Sequence, residues 1–95
     1  MYAVVRRYTG ASALLDAMAS KQQSIKDVIS GVAGFAAYYA LRDGDGMTTV
    51  TVCADRAGTD ESTRKAAAWV RENVPGVTIS PPTVNSGEVF ITFGK

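Results

Sequence analysis

Two stretches rich in aromatic and β-branched residues, Phe35–Arg42 and Met47–Ala54, flank the turn sequence Asp43–Gly46. Such stretches favour β-strands, and Asp-Gly sequences supply the positive φ angles of hairpin turns. A turn centred on this segment pairs Tyr39 with Val50. The pattern therefore predicts a β-hairpin, around which the rest of the chain is organised.

This register divides the hairpin into two faces, because side chains alternate across a strand. The more apolar face is predicted to be the core face, and it carries Phe35, Ala37, Tyr39, Leu41, Val50 and Val52. The other face is neither charged nor strongly apolar, and it carries Ala36, Tyr38, Ala40, Met47, Thr49, Thr51 and Cys53. That second face suits a partly wet cavity or packing against a second sheet.

Four further segments show regular patterns. Tyr2–Tyr8 alternates as a strand does, and apolar residues recur at helical spacing from Ala11 to Ser30, with a polar gap at Lys21. This stretch is either one helix or two shorter helices that meet near Ser20. Thr59–Asn73 is predicted to be a helix and Glu88–Phe93 the last strand.

The prolines at positions 81 and 82 exclude a central strand between Val77 and Ser86, because proline has no N–H to donate. This segment is predicted to be an extended connection. Asp55 or Thr59 can cap the second helical region, and Ser12 or Thr9 can cap the first.

The order strand, helix, strand, strand, helix, strand predicts one α+β domain over residues 1–95. Right-handed crossovers place both helices on one face, giving a ferredoxin-like βαββαβ fold with a four-stranded antiparallel sheet. The second sheet face, with Tyr38, Met47, Cys53 and Phe90, is too apolar to remain in water. It therefore predicts a homodimer that forms through the sheet face.

The composition argues against several classes of function. The net charge is +1 with scattered basic residues, which argues against a nucleic-acid surface, and no apolar run is long enough for a bilayer. No signal peptide is recognised, so the expected compartment is the cytoplasm. The chain contains one cysteine and no histidine. Neither a metal site nor a cofactor is expected.

The segments Gly34–Tyr39, Asp55–Gly58 and Glu61–Asn73, together with the Asp-Gly turn, resemble antibiotic-biosynthesis-monooxygenase-like domains of the dimeric α+β barrel superfamily. The resemblance covers about the whole chain. It implies a barrel formed by two sheets across a homodimer, with pockets inside the barrel or between sheet and helices. Cofactor-free oxygenases of this family use Trp, Asn, Tyr and Arg to bind and deprotonate a phenolic substrate, which then reacts with oxygen itself.

The resemblance thus implies a small dimeric domain of unassigned activity, and within that class a cofactor-independent monooxygenase for a small aromatic or quinol substrate. The haem-degrading branch ligates iron with histidine, which this chain lacks. The alternative is a homodimer that binds a small ligand without catalysis or that is purely structural. The absence of histidine and of a strong acid/base pair favours this alternative.

Three residues are candidates for catalysis. Trp69 and Asn73 lie one helical turn apart and share a face, and Tyr38 of the hairpin would complete a polar aromatic pocket. Each also has an ordinary interpretation: Trp69 as a core anchor, Asn73 as a helix cap, and Tyr38 as a phenol that bonds a neighbour across the dimer.

Four residues are candidates for ligand binding: Arg7, Gln22, Tyr39 and Phe90. Arg6 and Arg7 point to opposite faces of the first strand, and both lie near its end, where they can also reach water. Gln22 either offers its amide to a cavity or bonds the backbone at a helix junction. Tyr39 belongs to the predicted core face and Phe90 to the second face of the last strand.

Overall fold

The computed structural model describes residues 1–76 and 79–94. Its elements are β1 (Tyr2–Tyr8), α1 (Ser12–Ser20), α2 (Gln22–Ser30), β2 (Phe35–Asp43), β3 (Gly46–Cys53), α3 (Arg56–Asn73) and β4 (Thr83–Glu88). The strands form one antiparallel sheet in the order β2-β3-β1-β4. The predicted ferredoxin-like α+β fold is confirmed.

The hairpin register is also confirmed. Tyr39 pairs with Val50, and Asp43 pairs with Gly46 across the turn. Gly44 has a φ of +62°, the left-handed conformation that glycine adopts without strain. Turn chemistry and alternation together therefore specified this pairing.

The predicted core face of the hairpin is wrong. Tyr39 and Leu41 are 59% and 51% exposed, while Thr49 and Thr51 on the opposite face are almost fully buried. The helices cover this hydroxyl-rich face because it continues into β1 through pairing with Val4, Arg6 and Tyr8, whose side chains are also buried. The face predicted to form the dimer, with Tyr38, Met47 and Cys53, is therefore the one that the helices cover, and that part of the prediction is wrong. Apolar content within the hairpin alone did not reveal these polar contacts.

Phe35 departs from the rest of its strand. The pairing of β2 with β3 shifts between Phe35, opposite Cys53, and Ala37, opposite Val52. This bulge rotates Phe35 to the helix-facing side, where it packs against the core.

The first helical region contains two helices, as one of the two predicted alternatives had it. Lys21 interrupts the helical backbone with φ −124° and ψ 39°, and its N–H donates to the Ala17 carbonyl at 3.0 Å. Ala11 occupies the N-cap of α1 without a side-chain hydrogen bond, so neither predicted cap is used there. At α3 the Asp55 carboxylate accepts from the Gly58 N–H at 3.1 Å, as predicted for a cap.

The last strand was predicted at the wrong position. β4 spans Thr83–Glu88, beginning directly after the second proline, rather than Glu88–Phe93. Its register with β1 ends at Tyr2 opposite Glu88, so residues beyond Val89 have no residues of β1 left to pair with. The Val89 N–H still donates to the Met1 carbonyl at 2.9 Å. The first two residues of the predicted connection, Val77 and Thr78, lie outside the described residues.

Helices and sheet enclose the core, whose buried members are Tyr8, Ala11, Leu14, Leu15, Ile25, Ile29, Met47, Ala66, Trp69 and Val74. The start of α3 comes very close to the sheet at Gly58. A Cβ there would lie 2.8 Å from the Cys53 Cβ and 3.0 Å from the Ala33 carbonyl oxygen. Within the described ranges, no helix is long and apolar enough to cross a bilayer.

Candidate functional site

A buried arginine lies at the centre of the layer between sheet and helices. Arg6 is in the middle of β1 and only 1% exposed. Its Nη1 donates to the Thr63 Oγ1 at 2.9 Å and to the Ser62 Oγ at 3.3 Å, and its Nη2 donates to the Thr51 Oγ1 at 2.8 Å. The guanidinium therefore connects β1 to β3 and to α3 through hydroxyl groups.

Two of these hydroxyls are oriented by the helix itself. The Ser62 and Thr63 hydroxyls donate to the Thr59 carbonyl at 2.7 and 3.2 Å. Because their hydrogens are used in this way, their oxygen lone pairs face the guanidinium as acceptors. The first turns of α3 thus hold Arg6 without neutralising its charge.

No carboxylate of the described residues forms an ion pair with Arg6. The ion pairs found are all at the surface: Arg7 with Asp43, Arg56 with Asp60, and Arg64 with Glu61. Two buried polar atoms moreover lack hydrogen-bond partners within the described chain, the Arg6 Nε and the Thr49 Oγ1. Buried polar groups are normally paired, so two such atoms in one region require a physical explanation.

Arg6 and Thr49 share a small internal chamber, which also has walls of Tyr8, Leu14, Met18, Ile25, Tyr38, Met47, Ala66, Trp69 and Val70. Its volume is about 10 Å³, which is close to the space that one water molecule needs. The chamber thus combines one cation, two phenols and an indole with an apolar lining.

A much larger groove adjoins the chamber. It has a volume of about 810 Å³ and runs between α1, α2 and the edge strand β2. Four residues line both spaces: Met18, Ile25, Tyr38 and Met47. These side chains form the wall between chamber and groove, and two of them are methionines, which change rotamer readily.

The phenols of the chamber are neutral over the physiological pH range. Burial raises the pKa of Tyr38 to about 12, and the Arg6 positive charge only partly opposes this effect. Burial likewise raises the pKa of Tyr8, again against the influence of Arg6. Neither phenol is therefore prepared to act as a phenolate near neutral pH.

The structure brings together two of the three predicted catalytic residues. Tyr38 and Trp69 both line the chamber, and the Trp69 Nε1 donates to the Ser24 Oγ at 3.0 Å. Asn73 does not line it: its Nδ2 donates to the Trp69 carbonyl at 2.9 Å, and its Oδ1 accepts from the Lys21 Nζ at 3.3 Å. Asn73 thus ties the end of α3 to the junction between α1 and α2.

The predicted ligand-binding residues are dispersed. Gln22 and Tyr39 line the groove. Arg7 is exposed on the opposite side of the sheet from Arg6 and pairs with Asp43 at 3.2 Å. Phe90 is 88% exposed beyond the last strand.

Sequence reasoning missed Arg6, Tyr8 and Thr49. One signal was available: Arg6 alternates in phase with Val4 and Tyr8, so a helix-facing Val4 also places the arginine inside. The hydrogen-bond partners of Arg6 come from distant segments of the chain, and no local sequence pattern predicts them.

No family model matches the chain, and no curated protein matches it. Solved structures do. A protein of unknown function from Nitrosomonas europaea is 23% identical, with a TM-score of 0.72 over 99% of this chain and 93% of that one.

Two further structures have a similar fold. SnoaB, a cofactor-independent oxygenase from Streptomyces nogalater, is 17% identical with a TM-score of 0.63, covering 99% of this chain and 97% of its own. A dimeric ferredoxin-like protein from an uncultured marine organism is 9% identical with a TM-score of 0.68, covering 99% and 97%. Antibiotic biosynthesis monooxygenases are among the structures with this fold. The predicted resemblance to such domains is thus confirmed at the level of the fold.

Proposed function

We propose that this chain is a homodimeric antibiotic-biosynthesis-monooxygenase-like domain that binds a small aromatic or quinol substrate and supports its oxygenation without a cofactor. The observation that carries the proposal is the polar aromatic chamber behind the groove, with Tyr38 and Trp69 in its walls. The fold shared with a cofactor-independent oxygenase supports it.

The reaction can proceed from substrate and oxygen alone. A phenol first loses its hydroxyl proton to water, and the electron-rich ring carbon then forms a bond to O2. The resulting peroxide takes up a proton, its O–O bond breaks, and water leaves as the ring becomes a quinone. One O2 is consumed per phenol, with one oxygen atom retained in the quinone and the other released as water.

The protein's part in this reaction is to bind and orient the ring. Met18, Ile25 and Met47 offer apolar contact to a ring in the groove, and Tyr38 offers an aromatic face with one polar atom. Trp69 lies behind them in the chamber and supports this wall. The indole N–H already donates to Ser24, and the Tyr38 hydroxyl has Thr49 as a hydrogen-bonding neighbour.

Oxygen uptake tests the proposal directly. The purified protein is incubated with a panel of phenols and hydroquinones in an oxygen electrode, beside Tyr38→Phe and Trp69→Phe. We expect uptake above buffer for at least one compound and a loss of about tenfold or more in each variant. Tyr2→Phe, which changes a phenol that lines neither the groove nor the chamber, serves as control and should keep the rate. Uptake equal to buffer across the panel would contradict the oxygenase.

A homodimer that binds its ligand without turnover is the second candidate. The chamber favours it in one respect: among its described lining residues there is no carboxylate or imidazole, and both phenols have raised pKa values. A proton must therefore leave to water rather than to a side chain. A compound that binds in the groove but is recovered unchanged under oxygen would establish this candidate.

A purely structural homodimer would need a filled interior, and the open groove beside the chamber speaks against it. The proposed dimer forms through the open sheet face, on the side away from the helices. Tyr39 and Leu41 are exposed there, and Val5, Val50 and Val52 are only half-buried. These residues are contiguous, because Val5 and Tyr39 both pair with Val50. An apolar patch of this kind on a sheet is typical of an interface.

A further inference from the structure

The buried charge of Arg6 is not balanced by any acidic group of the described residues. Its three hydrogen-bond partners, Thr51, Ser62 and Thr63, are neutral hydroxyls. A buried ion without a counter-ion is strongly unfavourable, because the protein interior solvates charge far less well than water does. A sequence that needed only a core residue at this position would be more stable with an apolar side chain.

The guanidinium also has unused donors. Arginine carries five N–H groups, and the three observed bonds come from Nη1 and Nη2 alone. The Nε–H has no partner in hydrogen-bond geometry within the described chain. The one further donor, on Nη2, has only neutral groups such as the Tyr8 phenol beside it, and a hydrogen bond from Arg6 lowers the pKa of that phenol against the larger effect of burial. Donors on neighbouring nitrogens suit an acceptor with two oxygens, or one oxygen with high negative charge.

The groove has the same electrostatic sign. Its described lining includes two charged residues, Lys26 and Arg42, both of them cationic, and no carboxylate. Because the whole chain has a net charge of only +1, this local excess is not a general property of the surface. An anion that enters the groove therefore meets positive charge both along the way and at the end.

From these observations we propose that Arg6 forms an anion subsite, which takes the ionised oxygen group of an aromatic carboxylate, phenolate or enolate while the ring system lies in the groove. The proposal rests on the proposed function and deepens it: the ligand is bound as its anion. Arg6 supplies the charge, and the Thr49 hydroxyl, which lies in the same chamber beside the Tyr38 phenol, supplies a further hydrogen bond.

The small volume of the chamber sets a structural requirement. A volume of about 10 Å³ has no room for a ring, so only the anionic group of the ligand can reach Arg6. The side chains between chamber and groove must move to admit this group. Met18 and Met47 belong to this wall and face the groove on their other side. Rotation of these flexible side chains joins the chamber to the groove without backbone movement.

The test compares two ligands of equal shape. Naphthoate is ionised at neutral pH, whereas naphthamide, substituted at the same ring position, is neutral, and neither is oxidised by air. Binding of each is measured by calorimetry to the wild type, Arg6→Met and the control Arg7→Met, which removes a solvent-exposed charge from the next position of the same strand. We expect the wild type to bind naphthoate at least about tenfold more tightly than naphthamide, since charge-assisted hydrogen bonds exceed neutral ones by that amount or more.

In Arg6→Met this preference should fall to about one, whereas Arg7→Met should retain it. If Arg6→Met does not fold, Arg6→Lys decides the matter. It keeps the charge but loses the planar donor pair, and we expect it to weaken naphthoate binding severalfold while naphthamide binding is unchanged. Thr49→Val, which matches threonine in volume, should also weaken naphthoate alone.

Equal affinity of the wild type for the two ligands, or no binding of naphthoate up to its solubility limit, would overturn the subsite. So would an Arg6→Met protein that still prefers naphthoate. The experiment involves no turnover, so its outcome is separate from that of the oxygen-uptake assay. Naphthoate binding that depends on Arg6, without any oxygen uptake, would retain the subsite and reject the oxygenase.

Discussion

At the scale of single residues, the interior of this domain is organised by polar pairing as much as by apolar contact. Arg6 carries its charge into the core, and Thr51, Ser62 and Thr63 arrange neutral oxygens around it. The nearby phenol of Tyr38 experiences both influences, since burial raises its pKa and the guanidinium opposes the rise. Its titration therefore reports on the chamber.

Tyr38 should make the domain less stable at alkaline pH. Its pKa is about 12 in the folded chain and near 10 as the ordinary value. Between these values the unfolded chain has lost the proton and the folded chain still holds it, so stability falls as pH rises through this window. The loss is at most about 3 kcal/mol.

The corresponding measurement is urea unfolding of the wild type, Tyr38→Phe and Tyr39→Phe between pH 9 and about 12. We expect the stability of Tyr38→Phe to decline less steeply with pH than that of the other two proteins. Parallel curves for all three would mean that the Tyr38 phenol is not buried as described.

At the scale of elements, the position of α3 on the sheet depends on a residue without a side chain. Gly58 is fully covered, and its neighbours in space are the Cys53 side chain and the Ala33 carbonyl. The Asp55 cap fixes the start of the helix at the same point. Because Ser62 and Thr63 follow on this helix, its close seating also determines where the acceptors of Arg6 lie.

Gly58→Ala should therefore destabilise the domain by about 1–3 kcal/mol, since overpacking against backbone cannot be relieved by a side-chain rotation. Gly87→Ala is the matched control, as a Cβ on that β4 residue meets nothing within 4 Å. Its free energy of unfolding should change by less than about 0.5 kcal/mol. Equal values for the two variants in urea unfolding would show that α3 can shift away from the sheet at no cost.

At the scale of the whole molecule, local sequence patterns predicted the fold but not which residues are buried inside it. Alternation and Asp-Gly chemistry specified the hairpin register, including the Tyr39 and Val50 pair. The side that the helices cover depends on β1 instead, which joins the sheet from a distant part of the sequence. Likewise β4 ends at Glu88 because this residue pairs with Tyr2, the first residue of β1. The sequence around Phe90 gives no indication of this limit.

The candidate site was partly predictable for the same reason. Trp69 and Tyr38 have the size and polarity that a pocket needs, and their periodicity was sufficient to place them on a helix face and a strand face. Arg7 was the predicted binding residue, and both Arg6 and Arg7 were expected to reach water, because arginine is rarely buried without a partner. The hydroxyl partners of Arg6 lie 45 to 57 positions away along the chain, beyond the reach of any local rule.

The last prediction concerns dimerisation through the exposed sheet face. If two copies pair through this face, Leu41→Glu places a carboxylate in an apolar contact and should convert the dimer to a monomer, because an unpaired charge in an interface costs several kcal/mol. Sedimentation at micromolar concentration measures this change. Ala67→Glu on the exposed surface of α3 is the control and should remain dimeric. A wild type that sediments as a monomer would reject the interface, and the apolar patch of Tyr39, Leu41 and Val50 would then need another partner.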